Sequence, residues 1–343
     1  MSGRIAFRRK VIDRSAEHLK ALPAGNSRGP GGVGRVAARY LIETVLQLPG
    51  SPVPELPEVE VTRRRIEPLL VGRRIRRVHT TEDSYLFITP PAQLRRSLAG
   101  RTVGSLGRRG KYLVAELDDG SRFVVHLGMT GQLFSEFATS PRLMTSTARS
   151  ALSPEAQRSF RPDAHTHLRI CFEDAGPQVL LRDVRKFGKL MLLTPGEQHP
   201  RLDRLGIDAL EISGEILFAA GRQRKVAIKS LLLDQSVLAG MGNIYVDEAL
   251  FLTGVRPTRR AGRVTRRECE RLAQVIRKVL GRSIDTGGSS IRDYVTPDGS
   301  DGGYQFERRV YARQGEPCVE CGEAIRRIVV GQRSSHYCPI CQK

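Results

Sequence analysis

The sequence has no tryptophan, an aromatic fraction of only 6%, and no apolar run near the roughly 18 residues that a bilayer-spanning helix requires. A helical membrane protein is thereby excluded, and the first residues lack the apolar core of a secretory signal. Acidic residues are scarce too: 36 Asp plus Glu stand against 56 Lys plus Arg, leaving a net charge of +20 and an isoelectric point near 10.4. That imbalance points to a polyanionic partner, most simply nucleic acid, and away from an acidic protein or a neutral metabolite. What is present suits a folded, cytoplasmic chain. Its 343 residues, 40% of them hydrophobic, are enough for two packed domains. Of six cysteines, Cys318, Cys321, Cys338 and Cys341 form two Cys-x-x-Cys pairs near the C-terminus, the pattern of a metal site and not of a disulfide framework. Cys171 and Cys269 fall on patterned segments and read as buried thiols.

Residues 1–53 differ in texture from the rest, with a basic start, a Gly/Pro/Ser-rich run over 25–34 and one short amphipathic stretch over 36–48. They are expected to lie outside the folded core. From Pro54 a helix is expected, with Val59, Thr62, Ile66, Leu69 and Leu70 on one face. Strand signals follow over 75–80, 111–117, 122–127, 168–172, 179–181 and 189–193, so 54–194 reads as an antiparallel β domain with a long loop over 137–164. After a linker at 195–206, helical patterns occupy 226–233, 243–253 and 265–282, the last opened by a Thr265/Glu268 capping box. The expected organisation is α+β, with a helical domain over 207–305 and a cysteine module over 306–343.

The sixteen residues between Cys321 and Cys338 separate two knuckles that together supply four thiolates, the donor set of one closed, structural zinc. Arg326, Arg327, Arg333 and His336 lie between the knuckles and suit phosphate contact. A second candidate anion site is the turn Gly240-Met-Gly242 ahead of a helix starting at Asn243. Free backbone N–H groups there, with no side chain on Gly242, are expected to receive a phosphate.

Pro54-Glu-Leu-Pro-Glu-Val-Glu60, Gly110-Lys111-Tyr112, His126-Leu-Gly-Met-Thr-Gly131, Asp183-Val-Arg-Lys-Phe-Gly188, Ala227-Ile-Lys229, Gly240-Met-Gly-Asn-Ile-Tyr245 and the cysteine module follow in order. Together they resemble the formamidopyrimidine-DNA glycosylase family across residues 54–343. The resemblance implies an N-terminal β-sandwich domain with flanking helices, a C-terminal helix-two-turn-helix domain and a four-cysteine zinc finger, with duplex DNA in a basic cleft between them. It implies a bacterial, DNA-associated monomer acting on oxidised purines, 8-oxoguanine and formamidopyrimidines, and on abasic sites, cutting the strand by β,δ-elimination.

By the same resemblance, the Pro54 amine is the nucleophile at the sugar C1′, Glu55 the general acid/base, and Lys111 and Arg333 the phosphate-binding groups that assist elimination. Glu58 is assigned to backbone donors at the helix start. Met129, Arg185 and Phe187 are expected at exposed tips, filling the stack left by a flipped base. His165, Lys225 and Asn243 are expected to contact DNA, with Lys229 near them, and the glycine-rich stretch 296–304 to close as a lid, although its Ser/Asp-Gly insertion departs from the family pattern. Two rivals are an endonuclease VIII-type enzyme for oxidised pyrimidines and a non-catalytic damage-binding protein. Pro54 preceded by Val53 is a tertiary amide and no nucleophile. Residue 53 is where the family has its initiator methionine, so residues 1–52 are expected to be an upstream extension misread from a GTG start.

Overall fold

The computed structural model describes residues 54–82, 84–138, 162–290 and 294–343; the expected extension over 1–53 and residues 139–161 of the expected loop lie outside the described residues. The N-terminal half comprises α1 (Leu56–Leu70), β1 (Ile75–Thr80), α2 (Pro91–Leu98), β2 (Val103–Arg109), β3 (Tyr112–Leu117), β4 (Arg122–His126), β5 (Gly131–Ser135), β6 (Thr166–Phe172), β7 (Val179–Asp183) and β8 (Lys189–Leu193). Its strands form two four-stranded antiparallel sheets, ordered β1-β6-β7-β5 and β2-β3-β4-β8. Period-two alternation turns Leu113, Ala115 and Leu117 of β3 into the same core as Leu168, Ile170 and Phe172 of β6. The opposite face of the second sheet carries Val124, Met191 and Leu193 and is covered by Leu202.

The C-terminal half comprises α3 (Pro200–Asp203), β9 (Ile207–Asp208), α4 (Gly214–Gly221), α5 (Ile228–Leu233), β10 (Leu238–Ala239), α6 (Asn243–Thr253), α7 (Arg266–Asp285), β11 (Arg326–Val330) and β12 (Arg333–Tyr337). The capping box expected for α7 is present: Glu268 N–H donates to Thr265 Oγ1 (3.3 Å), and Thr265 N–H to Glu268 Oε2 (2.8 Å). Cys269, Leu272, Ile276, Val279 and Leu280 of α7 are buried against Tyr245, Val246, Ala249 and Leu250 of α6. No helix among the described residues is long and apolar enough to cross a membrane.

Helix α1 joins the two halves, because its sides enter different cores. Val59, Ile66 and Leu70 pack into the sandwich, whereas Leu56 and Val61 pack with the helices. A buried ionic staple lies alongside. Arg108 at the end of β2 donates to Glu60 of α1 (3.0 Å) and to Asp208 of β9 (2.6 Å), and Arg63 and Arg64 also pair with Glu60. The segment that opens the motif-bearing chain is thus fixed at the junction of sheet and helices.

Candidate active site

The β2–β3 turn carries Lys111 and packs at Gly110 against Ala239 and Gly240 of the helical half. On the other side of that turn, Leu56 N–H donates to Gly240 O (3.0 Å), which sets the start of α1 against the N-terminus of α6. Glu55, 3% exposed, extends its carboxylate into that N-terminus and accepts from the N–H groups of Ile244 (3.0 Å) and Tyr245 (3.5 Å). A Cβ on residue 242 would stand 2.0 Å from the Glu55 carboxyl carbon, so Gly242 is required for this approach. The helix N-terminus expected to receive a phosphate therefore holds an internal anion. The dipole and donors are used as foreseen, but by a carboxylate of this chain.

Burial dominates the titration of Glu55 and pushes it up to about 7, with Glu58 adding to the rise; Lys111 and the two backbone donors act in the opposite direction. A carboxyl near neutrality can both give and take a proton in the working range. Burial and the charge of Arg333 push Lys111 below the usual lysine range, while Glu55 pulls it back. Glu58 does meet the Glu55 N–H (2.9 Å), as expected, but its carboxylate also accepts from Tyr245 Oη and from Ser289 N–H (2.8 Å). It thereby ties α1, α6 and the segment after α7 together. Sequence reasoning passed over His126, whose ring lies 4.7 Å from Tyr112 and whose Nδ1 accepts from Gly128 N–H (3.1 Å). Burial beside Lys111, Arg201 and Lys189 pushes it down to about 3, so it is a neutral imidazole with Nε2–H left to donate.

The zinc site is defined by four sulfurs lying within 4.8 Å of one another. Cys318 and Cys341 are 3.9 Å apart and Cys321 and Cys338 3.4 Å, bracketing the edge of about 3.8 Å in a tetrahedron with Zn–S bonds of about 2.3 Å. Backbone N–H groups of Glu320 and Cys341 point at the Cys318 and Cys338 sulfurs, which suits thiolates. The donors fit one structural zinc with no open position. Next to it β11 and β12 form a hairpin whose turn residues Gly331 and Gln332 both have positive φ, so Arg333 emerges from the tip.

Asp247 of α6 fastens this hairpin, accepting from Ser335 Oγ (3.0 Å), His336 N–H (2.8 Å) and Lys229 Nζ (2.6 Å), and Lys229 also donates to Ser334 O (2.7 Å). Lys229 is completely buried and acts as an internal tie, and it meets the same Ser334 that Asn243 reaches, so the two lie near each other as expected. Asn243 reaches Ser334 Oγ (3.5 Å) and leaves its buried Oδ1 without a partner. Replacing Cys338 by Ser is expected to abolish zinc in the purified protein and to weaken duplex affinity about tenfold or more, with the sandwich still folded; metal analysis and a binding titration check it, and retained zinc with unchanged affinity would contradict it.

Met129, Arg185 and Phe187 come together on two turns of the sandwich. Arg185 Nη1 lies 3.7 Å from Met129 Sδ, and its guanidinium carbon is 4.6 Å from the Phe187 ring centre. Asp183 accepts from Thr130 Oγ1 and from Gly188 N–H (2.8 Å), locking one turn to the other. A Cβ at Gly128 would come within 2.5 Å of the Phe187 backbone, so the two turns touch main chain to main chain. Met129 is only 7% exposed, in contrast to the expected exposed tip; Arg185 closes over its thioether, and Phe187 is half-buried.

His165 is half-buried at the entry of β6, and Lys225 is exposed ahead of α5; neither is bonded to the Glu55–Lys111 cluster among the described residues. The lid-like segment is docked: Val295 packs with Phe134 and Leu180, Ser135 N–H donates to Pro297 O (3.3 Å), and Asp298 pairs with Arg65 of α1.

A basic chain in which a near-neutral carboxyl, an ammonium and an arginine of the hairpin next to the four cysteines lie close enough to shift one another's titration has the organisation of an enzyme that processes DNA. Family comparison is specific. The formamidopyrimidine-DNA glycosylase N-terminal domain matches residues 53–190, the H2TH domain of the same family matches 205–295, and the zinc finger found in FPG and IleRS matches 315–343. Formamidopyrimidine-DNA glycosylase of Thioalkalivibrio sulfidiphilus (strain HL-EbGR7) is 42% identical over 298 residues, spanning 85% of this chain and 100% of that relative. The MutM (FPG) protein of Thermus thermophilus superimposes with a TM-score of 0.70 at 36% identity, covering 84% of this chain and 98% of that one. A Lactococcus lactis FPG mutant, solved with Fapy-dG containing DNA, gives 0.72 at 34% identity over 84% and 100%. The chain belongs to the formamidopyrimidine-DNA glycosylase family and is a base-excision-repair DNA glycosylase with one structural zinc.

Proposed function

We propose that this enzyme removes 8-oxoguanine and formamidopyrimidines from duplex DNA and then cleaves the strand at the abasic site, through a covalent intermediate on the Pro54 amine. The observation that carries the reading is Glu55, buried immediately after Pro54, clamped by the N-terminus of α6 and tuned to about 7 beside Lys111. The neutral secondary amine attacks C1′, the bond to the base breaks, and the base leaves with a proton; the nitrogen gives up its own proton, the C1′–O4′ bond then breaks as Glu55 protonates O4′, and the opened sugar is joined to nitrogen as an iminium. Glu55 supplies and recovers protons at the sugar. The iminium acidifies the C2′ proton, whose removal expels the 3′ phosphate, and a second elimination expels the 5′ phosphate. Lys111 and Arg333 hold these phosphates as they leave.

Residues 54–194 serve as the catalytic sandwich domain, 195–206 as the linker, 207–305 as the helix-two-turn-helix domain with its lid, and 306–343 as the finger. His165, Lys225 and Asn243 contact the DNA backbone, and Met129, Arg185 and Phe187 fill the vacated stack. Met129, 7% exposed under Arg185, takes up that role once Arg185 moves off its thioether. The reactive form begins at Pro54, because only a free amine can attack; the match of the family domain from residue 53 supports that start.

Parallel assays on duplexes carrying 8-oxoguanine or thymine glycol test the substrate. Preferential release of 8-oxoguanine is expected; preference for thymine glycol would favour the pyrimidine enzyme, and release of neither a binding protein. Met129→Ala or Phe187→Ala is expected to slow excision about tenfold or more, while cleavage at a pre-formed abasic site changes by less than about threefold, because only excision needs full eversion of a stacked base. Equal losses on both substrates would remove the stack-filling role.

A further inference from the structure

Tyr85 is an aromatic side chain left at the surface of a protein with few aromatics, and its neighbours account for where it stands. Leu86 C=O and Ile88 N–H bracket Leu190 of β8, with Leu190 N–H donating to Leu86 O (2.8 Å) and Ile88 N–H to Leu190 O (2.8 Å), and Leu86 is completely buried. The backbone under Tyr85 is therefore fixed to the sandwich, while Tyr85 itself is 43% exposed.

Its side chain is aimed at the stack-filling turn. The phenol Oη donates to Arg185 O (2.9 Å), and the ring centre lies 6.2 Å from that of Phe187 at an interplanar angle of 45°. The Lys189 ammonium sits 4.7 Å from the same ring centre, itself donating to Gly188 O (2.9 Å). Met129, Arg185, Phe187, Tyr85 and Lys189 thus form one continuous pile of side chains, in which Tyr85 alone comes from the well-anchored segment before α2. The turn it touches holds Lys186 at φ 56° between Arg185 and Phe187, a left-handed conformation that is unfavourable for a residue other than glycine.

We propose that Tyr85 is a positioning residue for strand insertion: it braces the Arg185–Phe187 turn from outside, so that both side chains meet the duplex in one preset arrangement. The inference rests on the stack-filling role given above to Arg185 and Phe187. A turn held at its carbonyl and against its aromatic ring loses less conformational freedom when it enters the stack, which lowers the barrier to eversion and not the barrier to the sugar chemistry. Tyr85 touches neither Glu55 nor Lys111 among the described contacts, so its effect should appear only where a base must be expelled.

The test compares wild type, Tyr85→Phe and Tyr85→Ala, each beginning at Pro54, on an 8-oxoguanine duplex and on the same duplex with a pre-formed abasic site. A 2-aminopurine beside the lesion reports stack opening. Tyr85→Ala is expected to slow excision and the fluorescence rise about tenfold, with abasic-site cleavage changed by less than about twofold; Tyr85→Phe, which keeps the ring and loses only the bond to Arg185 O, is expected to slow excision about threefold. If truncation unfolds the protein, Tyr85→Phe decides alone by the same selectivity. Wild-type excision in the folded variants, or a loss of equal size on both substrates, overturns the brace. Wild type inactive on 8-oxoguanine would instead count against the glycosylase reading on which the brace depends.

Discussion

A chain that begins at Pro54 is expected to excise and nick, whereas the same chain with Val53 retained is expected to lose the activity by on the order of 10³-fold or more. The difference is one bond. In the longer chain the proline nitrogen is a tertiary amide whose lone pair is delocalised into the carbonyl, so it can neither add to C1′ nor carry the iminium. In the shorter chain it is a secondary amine next to a carboxyl tuned to about 7. Initiation at a GTG codon for residue 53 would place methionine there, and its removal before the small Pro54 frees the amine. N-terminal sequencing of natively expressed protein checks this, with Pro54 as the expected first residue. A native chain that starts at Met1 and retains full activity would exclude Pro54 as the nucleophile and turn attention to Lys111.

Glu55→Gln is expected to slow base release by about 10²–10⁴-fold, the usual worth of a positioned acid/base group. It is also expected to make the protein more stable above neutral pH. The sign follows from burial: Glu55 ionises near its ordinary 4.5 in the unfolded chain but only at about 7 in the fold. Between those values the unfolded state has released a proton that the native state still holds, so this group's contribution falls as pH rises from 4.5 to 7 and is lost beyond. Glutamine can accept from Ile244 N–H without that charge. Melting curves of both proteins should nearly coincide at about pH 4.5 and separate by about pH 8, the variant melting higher. A variant less stable on the alkaline side, with normal excision, would show Glu55 to be a structural cap alone.

The parts of the fold that rest on local signals were legible before any coordinates. The Thr265/Glu268 box, the strands with clean alternation such as β3, and the four-cysteine spacing all match the structure. Elements set by tertiary contact were not. β2, Val-Gly-Ser-Leu-Gly-Arg-Arg, has two glycines and buries only Val103 and Leu106, and it is a strand because β3 supplies the ladder. α4 begins and ends in glycine, and α2 is only eight residues long.

The site divides in the same way. Residue types gave Glu55 and Lys111 as candidates through the family resemblance, and the sandwich and helices bring the two together. What no spacing could reveal is that the N-terminus of α6 is filled by Glu55, 189 positions before Ile244, or that Lys229 turns inward to Asp247. Both depend on which side chains the tertiary fold brings together across long sequence separations, and spacing along the chain does not show that. Met129 shows the limit from the other side: glycines around it signalled a turn correctly, but not that Arg185 would close over it.

The central claim is that chemistry passes through the Pro54 nitrogen, and borohydride trapping tests it most directly. The Pro54-start protein is mixed with a lesion duplex in the presence of borohydride, and the adduct is digested and its peptides weighed. The account predicts a stable protein–DNA adduct whose sugar fragment maps to the N-terminal peptide at Pro54, and no adduct from protein retaining Val53. An adduct on Lys111, or equal trapping by both forms, would contradict it.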